Sequence, residues 1–257
     1  MNRKYFKKIN RRHVGFALVF VIIIGLYFNR SYAHIYNYMD NLALKGTNNN
    51  ETYLISNRET ASSSLVYVAL GDSLTAGVGT DKYSESYPYL LAQYLAGDNY
   101  QINLKSRALP GAKTADLVNS LLPEAIKDEP NIVTLLIGVN DIHGQISPKD
   151  FKTNYENILR RLTEETKAKI YVINMPILGS GDLLLPPYNW FFNVKTRQYN
   201  KIIQELTVKY SVRYINLYTP TEDLFKRSGS HYASDFFHPS AEGYKIWADL
   251  IYASISN

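Results

Sequence analysis

The chain has 257 residues, with 28 lysines and arginines against 23 aspartates and glutamates, and no cysteine. That length suffices for one domain with a substantial core, and the missing thiols exclude a disulfide framework, a cysteine nucleophile and a thiolate metal site. Arg3, Lys4, Lys7, Lys8, Arg11 and Arg12 fall within the first twelve residues and leave 22 basic against 23 acidic residues over the rest, which excludes the clustered basic surface that nucleic acid requires.

The basic cluster is followed by residues 14–28, which carry no charge and end at Asn29 and Arg30. Such a run lies at the upper limit of a signal-peptide core and below the roughly 20 residues of a spanning helix. Ser31-Tyr32-Ala33 has the small residues a signal peptidase reads, but Arg30 intrudes where a cleavage region is normally uncharged. The expectation is an uncleaved helix whose basic flank stays in the cytoplasm, with the domain on the extracellular side of the plasma membrane. Secretion after cleavage near Ala33 is the alternative. Residues 31–63 are polar and Asn-rich and are expected to be a linker between this N-terminal segment (1–30) and the catalytic domain (64–257). A flexible coil of that length would hold the domain some tens of ångströms off the bilayer.

From residue 65 short β-rich apolar runs alternate with longer segments of helical periodicity. Strands are predicted at 65–70, 100–104, 132–137, 170–174 and 212–217, and helices at 87–95, 114–122, 151–166, 194–210 and 240–254. The alternation implies an α/β three-layer, doubly wound sandwich around a five-stranded parallel sheet, with ligands bound beyond the carboxyl ends of the strands. The stretch 183–192, Leu-Leu-Leu-Pro-Pro-Tyr-Asn-Trp-Phe-Phe, is too apolar for an ordinary solvated loop. It is expected to line an acyl pocket, to form a lid near the membrane, or to pack on the domain's own core.

Four short motifs follow the predicted strands. Gly71-Asp72-Ser73-Leu74 puts a serine on the turn after the first strand, where it can be a nucleophile. Gly111 follows the second strand, and with no side chain it lets a backbone N–H approach developing negative charge. In Gly138-Val139-Asn140-Asp141, after the third strand, the Asn140 amide is a suitable oxyanion donor. Asp235-Phe236-Phe237-His238-Pro239 supplies an imidazole and an acid to orient it, and Pro239 suits the first position of the following helix. Each motif alone equally suits a turn or a cap.

Together, in the order Ser, Gly, Asn, Asp-x-x-His, they make the chain from 64 to 254 resemble the SGNH hydrolases, the GDSL-type lipase/acylhydrolases with a flavodoxin-like fold. The resemblance implies Ser73 as nucleophile, His238 as general base and acid, and Asp235 as its partner. It also implies an oxyanion site formed by the Ser73 and Gly111 N–H groups and the Asn140 side chain. One departure is Leu109, where many members have asparagine two residues before the glycine. The expected activity is hydrolysis of carboxylic esters, of acyl lipids or short- to medium-chain acyl groups, without a cofactor. An O-acetyl esterase acting on cell-wall polysaccharide or peptidoglycan, and a non-catalytic binding module of the same fold, are the competing readings. His143 and His231 lack metal-ligand spacing, so no metal is expected, and a monomer is.

Overall fold

The computed structural model describes residues 11–40, 51–56, 63–97, 100–179, 182–227 and 229–256. Helix α1 (Arg11–Asp40) opens the described part of the chain. Within it, Arg12–Ile35 is long and apolar enough to cross a membrane. At about 1.5 Å per residue it exceeds the roughly 30 Å hydrocarbon core. Its apolar side chains face outward, with Phe16 75% exposed, so no protein core accounts for them.

The remaining elements run in order: β1 (Thr52–Ile55), β2 (Ser63–Gly71), α2 (Tyr87–Gly97), β3 (Tyr100–Ala108), α3 (Thr114–Asp116) and α4 (Leu122–Lys127) joined by a π-helical turn, β4 (Ile132–Leu136) and α5 (Val139–His143). They continue with α6 (Pro148–Glu165), β5 (Lys169–Ile173), α7 (Tyr188–Lys209), β6 (Arg213–Ile215), α8 (Tyr218–Arg227) and α9 (Ala241–Ser256). Helix α6 starts ahead of its predicted residue 151 because Pro148 occupies its first position and the Ser147 hydroxyl accepts the Asp150 N–H at 3.1 Å.

Among the described residues the sheet has six strands in the order β1-β3-β2-β4-β5-β6, one more than expected. The five predicted strands are its parallel members, and β1 adds an antiparallel edge, with Thr52 opposite Lys105 and Ile55 opposite Ile102. Two pieces of regular structure therefore occupy the stretch expected to be a linker, residues 31–40 of α1 and β1, while residues 41–50 and 57–62 lie outside the described residues. Four residues with only Ile55 buried carry no usable periodicity, and the backbone of β3 is what makes them a strand.

All five residues of β4 are buried, as a central parallel strand covered on both faces requires. Helix α2 packs with α9, while α6 packs with both α4 and α7. Tyr67, Tyr87, Tyr155, Tyr199 and Tyr244 are among the largest fully buried side chains, so part of the chain's tyrosine content fills the core. Four of their hydroxyls are satisfied internally, Tyr67 with Thr134 at 2.8 Å, Tyr87 with Thr75 at 3.0 Å, Tyr244 on the Val78 carbonyl at 2.9 Å and Tyr199 on the Ile146 carbonyl.

Candidate active site

The chain winds from β2 outward to β3 and then returns past β2 to β4, so the winding switches at the carboxyl end of β2. Gly71 is in register with Ala108 of β3 and Leu136 of β4. The turns carrying Ser73, Gly111 and Asn140 thus leave the sheet side by side.

The Ser73 turn is built tightly. The Asp72 carbonyl accepts the Thr75 and Ala76 N–H groups at 3.1 and 2.9 Å, and the Asp72 carboxylate accepts the Leu74 N–H at 3.0 Å. A side chain at Gly71 would collide with Thr75 and with the Leu136 carbonyl of the neighbouring strand, which explains the glycine. Asp72 is fully buried, and its second carboxylate oxygen has no hydrogen-bond partner among the described residues. Burial raises its pKa to about 7 against the opposing Leu74 hydrogen bond, and the charge of Asp141 adds to the rise.

Ser73 Oγ and His238 Nε2 are 2.9 Å apart, and His238 Nδ1 lies 2.5 Å from Asp235 Oδ2. All three residues are buried, with Ser73 7% exposed. The other Asp235 oxygen accepts the Phe237 and His238 N–H groups, both at 2.9 Å. Burial alone would raise the Asp235 pKa, but the His238 hydrogen bond and charge and the two N–H groups outweigh it, and the carboxyl is held below its ordinary value. The loop closes through Ala233 N–H donating to the His238 carbonyl at 2.8 Å and a bridge between Tyr232 and Pro239. Pro239 therefore does not open the helix as expected; Ser240 precedes it, accepting the Gly243 N–H at 3.2 Å, and α9 begins at Ala241.

Gly111 has φ +81° with open space where a side chain would point, a left-handed backbone that favours glycine. Leu109, the departure from the family pattern, still ties its turn to β2 by donating its N–H to the Gly71 carbonyl at 3.2 Å. One Asn140 amide hydrogen is donated to the Ala112 carbonyl at 3.0 Å, which fixes the side chain beside the Gly111 turn. Asp141 secures the same junction by accepting the Thr114 N–H at 2.9 Å and the Thr114 hydroxyl at 2.5 Å.

Gly79 is a residue that sequence reasoning missed. At φ +102°, a side chain there would sit 2.5 Å from the Pro239 carbonyl and 2.9 Å from His238 Cβ. Its bareness lets the histidine loop dock on the serine turn, and the only sequence signal was an unexplained glycine two residues after Gly77. Among the described residues, no group of three or more His, Cys, Asp or Glu side chains is placed to hold a metal ion. His231 packs on the Phe225 ring at 5.4 Å.

The apolar stretch 183–192 divides. Leu183 and Leu184 are buried, whereas Trp190 is 68% exposed. From Tyr188 onward it is helical, so α7 begins six residues before the predicted 194.

A serine, an imidazole and a carboxylate in one hydrogen-bonded line at the carboxyl end of a doubly wound sheet define the class of α/β proteins equipped for acyl transfer. The sequence profile of the GDSL-like Lipase/Acylhydrolase family matches residues 69–246, and the chain belongs to that family. It is 26% identical over 215 residues to the uncharacterized protein YpmR of Bacillus subtilis, across 74% of this chain and 81% of that protein. It is 25% identical over 207 residues to an acetylxylan esterase of Xylanibacter ruminicola, across 72% of this chain but only 42% of that longer protein. The crystal structure of the lipase/acylhydrolase from Enterococcus faecalis has the same fold, with a TM-score of 0.61 and 23% identity, covering 74% of this chain and 95% of that one.

Proposed function

We propose that this chain is an exported serine esterase that hydrolyses carboxylic esters of lipids or of short- to medium-chain acyl groups. The observation that carries the reading is the line from Ser73 Oγ through His238 to Asp235, at 2.9 and 2.5 Å. In this mechanism His238 Nε2 takes the Ser73 proton as Oγ attacks the ester carbonyl carbon. The oxyanion formed accepts the Ser73 and Gly111 N–H groups and the second Asn140 amide hydrogen. Collapse breaks the bond to the alcohol oxygen, which receives the proton from His238. A water then gives its proton to His238 and attacks the acyl-enzyme, releasing the carboxylic acid and restoring Ser73. Asp235 orients the ring and balances the imidazolium in both halves of the cycle.

In the same reading α1 anchors the domain on the outer face of the plasma membrane, with the basic N-terminus inside. Its length and the exposure of its apolar side chains support this. The test is labelling of the full-length protein with an organophosphate and peptide mapping. The adduct is expected on Ser73, and Ser73→Ala is expected to abolish both labelling and turnover; an adduct elsewhere would overturn the nucleophile assignment. A second reading, O-acetyl ester hydrolysis on a cell-wall glycan, is favoured by the likeness to the acetylxylan esterase. Aryl esters of increasing chain length assayed beside an acetylated glycan separate the two, acetate-only turnover favouring the glycan.

A further inference from the structure

The end of α1, α5 and the head of α7 enclose a cavity of about 690 Å³, whose walls include Phe28, Tyr32, Ile142, His143, Tyr188 and Phe192. That size is within the range of about 300–1,000 Å³ of small-molecule sites. Helix α1 is fastened to the domain there. The Phe28 and Tyr32 rings lie 6.4 and 6.3 Å from the Tyr188 ring, and His34 Nε2 is 3.0 Å from the Asp182 carbonyl.

Two features locate the cavity at a lipid boundary. It lies at the carboxyl-terminal end of the apolar run of α1, just where Arg30 interrupts it. Around it stand Phe28, Tyr32, Trp190 and the 43% exposed Phe191, with Lys195 Nζ 5.9 Å from the Phe191 ring. Aromatic rings with a cation beside them are what membrane–water interfaces collect. The opposite wall points to the catalytic line, because the His143 ring packs on Phe192 at 4.8 Å and on Phe237 at 5.5 Å, and Phe237 packs on His238 at 5.0 Å. His143 Nε2 is buried and has no hydrogen-bond partner among the described residues.

We propose that this cavity seats the acyl chain of a membrane-lipid ester, drawn from the outer leaflet along α1, so that the anchor helix forms one wall of the substrate site. The inference rests on the esterase reading and specifies its substrate. The unpartnered His143 nitrogen then meets the polar end of the chain, where the ester joins it. Burial pushes the His143 pKa down to about 4, so the ring stays neutral and the cavity holds no buried charge at neutral pH.

The experiment uses full-length protein in phospholipid nanodiscs, with p-nitrophenyl acetate and p-nitrophenyl octanoate as substrates. Ile35 also lines the cavity; Ile35→Trp fills it from the α1 wall and is expected to lower the octanoate-to-acetate ratio of kcat/KM about tenfold, equivalent to about two methylenes left unburied. As a second measurement, Ser73→Ala protein is irradiated with a diazirine-bearing acyl phospholipid, and adducts are expected on peptides containing Ile142, His143 and Phe192. An unchanged ratio together with adducts confined to residues 14–27 would overturn the proposal. Organophosphate labelling of Ser73 in the wild-type and Ile35→Trp nanodiscs keeps that outcome separate from failure of the esterase reading, which would appear as absence of the label in both.

Discussion

Asp72 sits directly before Ser73, fully buried, with one carboxylate oxygen on the Leu74 N–H and the other unpaired among the described residues. Its pKa rises from 3.8 to about 7. A carboxyl raised by folding binds its proton more tightly in the native state, so native stability falls as pH climbs between those two values and levels off above the higher one. About three pKa units at about 1.36 kcal/mol each give a loss of about 4 kcal/mol between pH 4 and pH 8 from this group alone. Asp72→Asn keeps an oxygen for the Leu74 N–H and removes the titration. The variant can carry a constant offset from its unpaired amide hydrogens, but that offset does not change with pH. Urea unfolding of the full-length protein in detergent, followed by fluorescence of the buried Trp247, yields wild-type and variant stabilities across the range. The stability difference between Asn and Asp should grow by about 4 kcal/mol from pH 4 to pH 8. A difference that stays flat would refute the argument that Asp72 is a carboxyl held protonated by burial. Asp141→Asn supplies an internal check, because removing that charge should move the Asp72 transition to lower pH.

Asn140→Ala should lower kcat by about a hundred- to a thousandfold with a smaller change in KM, since an oxyanion donor acts mainly in the transition state; a change in KM alone would reassign it to substrate binding. Asp235→Asn should reduce kcat by about ten-thousandfold through the wrong histidine tautomer. Because Asp235 is held below its ordinary value, the stability it contributes is complete above about pH 4 and disappears only as pH falls through its depressed native pKa. Acid unfolding of the Asp235→Asn variant should lack that component. Gly79→Ala forces a side chain against the Pro239 carbonyl in a left-handed backbone, and should cost about 1–3 kcal/mol of stability together with a lower kcat as His238 shifts. Wild-type kcat in that variant would show that the histidine loop does not depend on Gly79.

Ser73, Gly111 and Asn140 were legible because they stand at the ends of strongly apolar strands, whereas Asp235 and His238 follow α8 and were legible only through their three-residue spacing. Ser73, Gly111 and Asn140 each lie within four residues of β2, β3 or β4, and the apolar runs of those strands are enough to put all three at one end of the sheet. What was not legible depends on contacts between distant segments. Gly79 reads as any turn glycine until His238 docks on it. Helix α5 spans five residues and has no periodicity to detect, although it carries Asn140 and His143. The head of α7 was hidden by Pro186-Pro187 and by apolar residues on more than one side of the helix, which blur a single buried face.

The stretch 31–63 differs from its expected form for the same reason, and the difference changes how the protein is held. Low hydrophobicity suggests a coil that lets the domain drift tens of ångströms from the bilayer. Instead α1 continues to Asp40, and Ser31, Tyr32 and His34 meet Pro186, Tyr188 and Asp182 of the domain. With β1 paired to β3, a truncation meant to release an intact catalytic domain has to begin before Glu51, because one begun near Ser62 removes an edge strand. A docked helix also changes the role of Trp190 and Phe191. On a freely tethered domain they would be an exposed apolar patch in water. Beside residues 28–35 of α1 they would, in the proposed anchored arrangement, lie level with the lipid surface, where the same exposure is favourable.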